Sequence, residues 1–545
     1  MYNSVTPHDL LATLLQNRGI TGEQEKIFLS PDFDRDLHDP YLYNDMAKAV
    51  ERICKAVRDD ERIIVYGDYD CDGIPGSVVL HDFFAKAGYG NVEVYIPHRH
   101  KEGYGLNKEA IAGFKKDGVS LVITVDSGIT DVEEVVYAHE CGIDVIITDH
   151  HLPQDILPPA FAILNAKRVD NTYPDPWLCG AGVAFKLVQA LVKEEQFGIP
   201  PGWEKWLLDV VGIATIADMV PLVGENRALA HFGLRVLRKT RRPGLLQLLR
   251  GIRLAPEVLG EENVGFDIGP RINAASRLDI PMNAFRLLAT KDVREGGLLA
   301  SHLEALNIQR KKLVADALCE AEKLEIGDES VVVIGSHEWP VGIVGLIAGR
   351  LVERFARPVF VWGSGDGGSE VKGSCRSDGS VNLVALMEAA QPGTFSAFGG
   401  HEGAGGFSLN AKNVDELLPR LIRAHAEIPV KEAKEAGEVH IDGELDVAHV
   451  NESLMRTIER CGPFGEGNPR PHFLFNRVKV IHSELFGKTK GHVKLQVGAG
   501  SRGINCIKFF EDQLPKEQEV SFVGTIERSY FAGRYELRIR IHSFV

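Results

Sequence analysis

The stretch Val65–Gly76, VYGDYDCDGIPG, sets Asp68, Asp70 and Asp72 on alternate positions behind an apolar run and follows them with two glycines and a proline. Three carboxylates so close repel one another unless a positive charge sits between them. The stretch therefore implies further ligands elsewhere in the chain. Its apolar run, RIIVYG, is the first of a series that continues with VEVYIP, LVITVDSG, DVIITDHH and FAILNA. Segments of helical period, such as SVVLHDFFAKAG and VEEVVYAHECG, lie between several of them and end at a glycine suited to a helix C-cap. Strand, helix, strand in this order predicts a largely parallel sheet, in which ligands bind at the carboxyl ends of the strands.

Acids and histidines collect at those ends: Asp68, Asp70 and Asp72, then Asp126 in TVDSG, Asp149, His150 and His151 in TDHH, and Asp218 in IADMVPL. Singly, an aspartate after a strand is more often a turn or capping residue. Turn chemistry gives no reason for four such places in one sheet to coincide. Oxygen donors with a minority of imidazoles and no thiolate suit Mg²⁺ or Mn²⁺, the histidines shifting the preference toward Mn²⁺. A carboxylate bridging two ions roughly 3.5–4 Å apart explains why so many acids gather, since two cations can hold one phosphoryl group and activate a water. Asp68, Asp70, Asp72, Asp126, His150 and Asp218 are the expected ligands; Asp70, Asp72, Asp126, His150, His151 and Asp218 are the expected catalytic set. Cys71 reads as a small filler and His337, near Trp339, as a packing residue.

The chain has 545 residues, 44% hydrophobic and 25% charged, too many for one core. No apolar run of about 18 residues appears, and the N-terminus has no signal-like h-region, so no membrane span is expected and the expected address is the cytoplasm. Eight cysteines without a C-x-x-C pair disfavour structural zinc and disulfides. A net charge of −15 argues against wholesale polyanion binding but leaves room for a local basic surface. Residues from about 180 to 325 read as mainly helical, a second α/β unit begins at SVVVIGS, and Gly363–Gly406 is glycine-rich. Pro429–Gly437 reads as a charged linker, and period-two alternation after it predicts a small antiparallel barrel.

GDYDCDG, VDSG, DHH and IADMVPL, in this order, resemble the four signatures of the DHH phosphoesterase family. EGYGLN from Glu102, CGAGVAFK from Cys179, GPRINAASRL from Gly269, GSCRSDGSVNL from Gly373, FGGHEGAGGF from Phe398 and GPFGEGNPRP from Gly462 are similar to stretches of its single-strand-specific exonucleases. Ser276 departs from the glycine more common there. The resemblance implies an α/β fold: an N-terminal helical segment (1–60), a parallel-sheet DHH lobe (61–220), a helical bridge (221–327), a second α/β DHH-associated lobe (328–428) and a C-terminal OB-like β-barrel (429–545). It implies a 5′-to-3′ exonuclease that releases 5′-mononucleotides from single-stranded DNA with two Mn²⁺ or Mg²⁺ ions, in repair and recombination. A monomer is expected, with a single-strand-binding protein and a helicase as candidate partners.

A nuclease that does not read bases grips phosphates with arginines and backbone amides and offers stacking surfaces. Candidates are Arg99, Tyr104, Arg271, Arg277, Ser374, Arg376 and His401. By resemblance, Arg277 with the SCRS segment would hold the 5′-terminal phosphate; the alternative for Arg271 and Arg277 is a tie between the bridging helices and the sheet. The basic run from Arg235 to Leu254 is either a track for the strand or a solvated face. In the C-terminal barrel, Phe509, Phe510, Tyr530 and Phe531 stand beside Lys508, Arg528 and Arg534. Competing readings are a phosphoesterase for very short oligonucleotides or cyclic dinucleotides, and a non-catalytic DNA-binding scaffold, whose mark would be lost metal ligands.

Overall fold

The computed structural model describes residues 6–324, 326–364, 369–431, 440–487, 490–498, 503–531 and 534–545. Most of the expected linker falls outside them, as do the side chains of Tyr530, Phe531 and Arg534. The chain forms two units, one of Pro40–Asp218 with Arg235–Glu438, the other of Met1–Asp39, Met219–Leu234 and Val439–Val545.

The first unit holds the parallel sheet. Its strands are β1 (Arg62–Gly67), β2 (Val92–Tyr95), β3 (Val119–Val125), β4 (Asp144–Thr148) and β5 (Ala162–Leu164), in the order β2-β1-β3-β4-β5, and every neighbouring pair is parallel. Helices cover both faces, so β1 and β3 are buried almost throughout, which is why they read as continuous β-branched runs. The strand order reverses at β1 and β3, the position where such sheets open a crevice at their carboxyl ends. The helix Gly73–Lys86 leaves that crevice directly after the three aspartates. A Cβ at Gly73 would stand 2.6 Å from the backbone N and O of Asp68, so only glycine lets the helix start so close to the end of β1.

The bridging region is helical as expected, with helices at Pro243–Gly251, Gly269–Leu278, Met282–Ala289 and the 29-residue Val293–Ala321. Asp292 caps the long helix through the amides of Arg294 and Glu295. The basic run from Arg235 is not one continuous track. Arg242 within it is buried between Asp82 at 2.7 Å and Asp209 at 2.9 Å and also donates to Leu288 O, which ties the bridge to the first lobe.

The second sheet of this unit is mixed: β6 (Val332–Ser336) and β7 (Val359–Gly363) run parallel, then β8 (Glu370–Arg376), β10 (Ala404–Asn410) and β9 (Ala397–His401) follow antiparallel. The glycine-rich tract thus supplies β8, β9 and the start of β10, and its β9–β10 hairpin carries His401. His337 packs against Trp362, as a structural histidine does.

The second unit has strands β11 (Gly443–Glu444), β12 (Phe473–Phe486), β13 (His492–Val497), β14 (Ile504–Phe509), β15 (Glu519–Phe531) and β16 (Arg534–Phe544), ordered β11-β12-β13-β14-β16-β15 with β15 also pairing β12. The pairing therefore closes in a ring. It is not wholly antiparallel as expected: β14 runs parallel to β16, because β15 turns back to pair with β12 and leaves β16 between β14 and β15. Leu10 and Leu14 of the first helix lie in the same core as Phe473, Phe475 and Phe522, and Arg18 donates to Asn468 and Pro469. Residues up to Asp39 thus belong to this unit, whereas 40–60 belong to the other. Among the described residues no helix is long and apolar enough to cross a membrane.

Candidate metal centre and nucleic-acid interface

The sheet ladder runs one residue past each strand. Asp68 N donates to Val125 O, Asp126 N to Thr148 O and Asp149 N to Leu164 O, at 2.9–3.1 Å. Three aspartates are thereby fixed to adjacent strand ends. Asp126 takes a φ of 62°, a left-handed conformation that a non-glycine residue holds only when its surroundings impose it. Asp70 Oδ1 accepts from the amides of Asp72 and Gly73 and closes the turn into the helix. Asp72 is aimed from a second direction: its two oxygens accept from Gly180 N at 2.5 Å and Ala181 N at 2.7 Å, the free amides opening the helix Gly180–Leu191. A Cβ at Gly180 would lie 2.5 Å from that of Asp126, so glycine is required for this approach.

These groups converge on one imidazole. His150 Nε2 lies 3.1 Å from Asp126 Oδ1 and 3.7 Å from both Asp72 Oδ2 and Asp218 Oδ2. Two sets of donor atoms each fit within the span of one ion, Asp68 with Asp70 and Asp126, and Asp72 with His150 and Asp218; Asp126 also groups with His150 and His151. Asp68 Oδ1 and Asp126 Oδ1 are buried with no hydrogen-bond donor. Burial, then mutual repulsion, pushes the carboxyls far above their ordinary range, Asp72 to about 7, Asp218 to about 9, and Asp68 and Asp126 well upward. Burial and the neighbouring His151 bring His150 down to about 3, leaving the neutral imidazole that binds metals. Orphaned buried oxygens and carboxyls unable to ionise together are what a missing cation charge leaves behind, and the oxygen-rich donor set fits Mn²⁺ or Mg²⁺.

Asp149 stands behind the ligands. It is fully buried, and its carboxylate accepts from the amides of His150, His151 and Ile129 and from His151 Nδ1 at 2.8 Å. Burial alone would raise its pKa; the bond from His151 and the charge of that histidine hold it below the usual range. Tyr104 donates its hydroxyl to Asp126 O, which brings this sequence candidate into the centre itself. His401 stacks parallel to His151 with ring centroids 6.4 Å apart, so the glycine-rich hairpin meets the metal centre. Cys71 is buried among the aspartates, and burial drives its thiol well upward, away from the thiolate a ligand would need.

Beside the acids lies a group of guanidiniums. Arg277, which donates to Gly342 O, is pushed down to about 9 by burial and by Arg99, Arg310 and Arg376. Arg376 donates to Ser374 Oγ and Cys375 O, and Arg99 lies over the Tyr69 ring at 4.8 Å. Like charges held together without carboxylate partners describe an anion site. Arg310 was not legible beforehand: in the long helix it sits in a run, QRKK, that reads as a solvated face, yet its Nε is buried without a partner. Arg271 is not brought into this group. It is buried against Glu304 at 2.5 Å and Asp267 O at 2.6 Å, so it ties bridging helices to one another and not, as the alternative had it, to the sheet.

In the ring of the second unit, Phe510 is exposed beside Phe509 and His492, and Arg540 lies over Phe509 at 5.4 Å. Lys508 bonds His542 O, and Arg528 is spent on Glu452 and Glu459 at 2.7 Å each. A basic and aromatic face therefore survives at Phe509, Phe510 and Arg540 but not at Arg528.

The parallel sheet with its aspartate and histidine strand ends defines the class, a DHH-family protein. Family models agree in three places: the DHH family N-terminal domain over residues 62–215, the DHHA1 domain over 328–427 and the RecJ OB domain over 441–543. The single-stranded-DNA-specific exonuclease RecJ of Bacillus subtilis is 36% identical over 98% of this chain and 68% of its own length, and that of Escherichia coli 33% identical over 98% and 95%. The crystal structure of RecJ from Thermus thermophilus in complex with Mn²⁺ superposes with a TM-score of 0.81 at 27% identity, covering 100% of this chain and 79% of that one. A second structure, of exonuclease RecJ bound to manganese, gives 0.63 at 33% identity over 71% of this chain and 96% of that one. The chain belongs to the RecJ family.

Proposed function

We propose that the chain is a metal-dependent exonuclease that removes 5′-mononucleotides from single-stranded DNA, in repair and recombination. The observation that carries this reading is the pair of donor groups joined through Asp126, because one phosphodiester held across two cations needs a shared carboxylate between them. Asp68, Asp70 and Asp126 would hold one ion, and Asp72, His150 and Asp218 the other, with Asp126 Oδ1, 3.1 Å from His150 Nε2, standing between the two groups. When bound, the ions supply Lewis acidity and a nucleophile at neutral pH.

The remaining work falls to the chain's own groups. Arg277, Ser374 and Arg376, with Arg99 alongside, would take the 5′-terminal phosphate, which fixes the strand end relative to the metal centre and so sets removal from that end. His151, its Nδ1 held by Asp149, turns Nε2 toward the reacting phosphate, and His401 stands across from it. The aromatic and basic face at Phe509, Phe510 and Arg540 would stack and track the strand without reading its sequence. Action as a monomer on strand supplied by a helicase or covered by a single-strand-binding protein belongs to the same reading.

The test is digestion of a long end-labelled single strand and its duplex, with Mn²⁺ and with chelator. Stepwise, metal-dependent loss of the single strand alone is expected. Cleavage confined to oligomers of a few nucleotides, or binding without cleavage, would overturn the reading.

A further inference from the structure

We propose that Lys167 and Trp177 form a nucleotide subsite at the rim of the metal centre, the ammonium taking a backbone phosphate and the indole stacking on a base. The proposal rests on the strand-degrading reading above and names part of how the strand is seated. Both residues lie in the loop that follows β5. Asn165, buried at its start, donates Nδ2 to His151 O at 2.9 Å and accepts from Lys167 N at 2.8 Å, so the backbone of Lys167 is pinned to the histidine pair.

The two cations of this loop are used differently. Arg168 is spent on Asp45 and Asp170, each at 2.7 Å. The Lys167 side chain forms no hydrogen bond or ion pair among the described residues, although it is half-buried. Burial pulls its ammonium below the usual lysine range, while Asp149, Asp218 and Asp126 draw it upward, and its charge is felt by His150 and His401. Its charge thus acts on one histidine from each lobe of this unit. An ammonium taken partly out of water without a carboxylate partner is costly unless an anion arrives to meet it. It lies beside an aromatic side chain: the Trp177 indole centroid is 5.7 Å from Nζ, and that side chain is half exposed. A cation beside a half-exposed ring is the combination that holds single strands independently of sequence, since every base offers a face and every nucleotide a phosphate.

The experiment is steady-state digestion by the full chain with Mn²⁺, on a thymidylate strand and on the same strand made abasic at its 5′-terminal nucleotides. Trp177→Ala should raise KM on the intact strand roughly tenfold with kcat little changed, and should not raise it on the abasic strand. Trp177→Phe should restore the intact-strand value. Lys167→Met should raise KM on both strands and reduce the salt dependence of binding by about 0.7 in log–log slope, the share of one phosphate contact. Unchanged KM in both variants beside an active wild type, or a loss in Trp177→Ala that is equal on both strands and not restored by phenylalanine, would overturn the subsite alone. A wild-type protein that digests neither strand would overturn the strand-degrading reading and the subsite with it.

Discussion

His150 Nε2 lies 3.1 Å from Asp126 Oδ1, close enough for an ion pair, yet that oxygen has no hydrogen-bond donor. Burial and His151 keep the imidazole neutral, and burial with four surrounding carboxylates pushes Asp126 well above the usual carboxylate range. A close approach without a hydrogen bond, between two members of one metal-sized donor group, suits two ligands of one ion and not a salt bridge.

Metal binding must displace protons. Asp72 at about 7 and Asp218 at about 9 carry protons at neutral pH in the metal-free protein, so Mn²⁺ affinity rises with pH from 6 to 8. Calorimetric titration in buffers of different ionisation enthalpy will show proton release on binding, and affinity independent of pH contradicts the assignment.

The same carboxyls reverse the effect on folding when metal is absent. Their folded pKa lies above the unfolded value near 4, so the folded state binds more protons between the two and loses stability as pH rises through about 7 and about 9. Melting in chelator should therefore be lower at pH 8 than at pH 6, and Mn²⁺ should close the gap.

Asp149→Asn keeps the volume and an acceptor for the amides but removes the charge behind His151 Nδ1. Loss of such an outer partner costs about 10- to 100-fold in activity or metal affinity. A variant with wild-type turnover and wild-type Mn²⁺ affinity would remove Asp149 from the account.

Arg376→Ala should abolish the preference for a phosphorylated 5′ end, by about 10- to 100-fold in relative rate, the worth of one charge-assisted hydrogen bond. Competition between phosphorylated and hydroxyl-ended strands measures it directly. An unchanged preference moves phosphate recognition elsewhere.

Arg242→Met tests the fold. It strands Asp82 and Asp209 as buried carboxylates, and removing one partner of such a network costs about 3–5 kcal/mol. Burial would raise Asp82, but His81, Arg242 and Lys291 hold it at about 2, so its contribution is present above about pH 4 and lost as pH falls toward 2. A urea midpoint equal to the wild type contradicts the structural role.

The parallel sheet was legible because burial on both faces leaves β1 and β3 as unbroken β-branched runs, and the ligands because aspartates followed those runs directly. The contact of Asp72 with Gly180 and Ala181 could not be read, since 108 positions separate the carboxylate from the amide of Gly180. Arg271 and Arg277 stand six residues apart on one helix and look alike, but only packing against Glu304 and Gly342 separates a tie from a member of the arginine group. The parallel β14–β16 pair escaped for a similar reason: alternation reports which residues face inward, not which strand lies alongside. Lys167 and Arg310 carried no local signal, because an unpaired cation is defined by what fails to surround it.

The most direct measurement is Mn²⁺ stoichiometry by calorimetry for the full chain and for Asp126→Ala. The account predicts two ions for the wild type and the loss of at least one on removing the carboxylate that stands between the two donor groups. One ion in the wild type, or two retained by the variant with unchanged affinity, would contradict it.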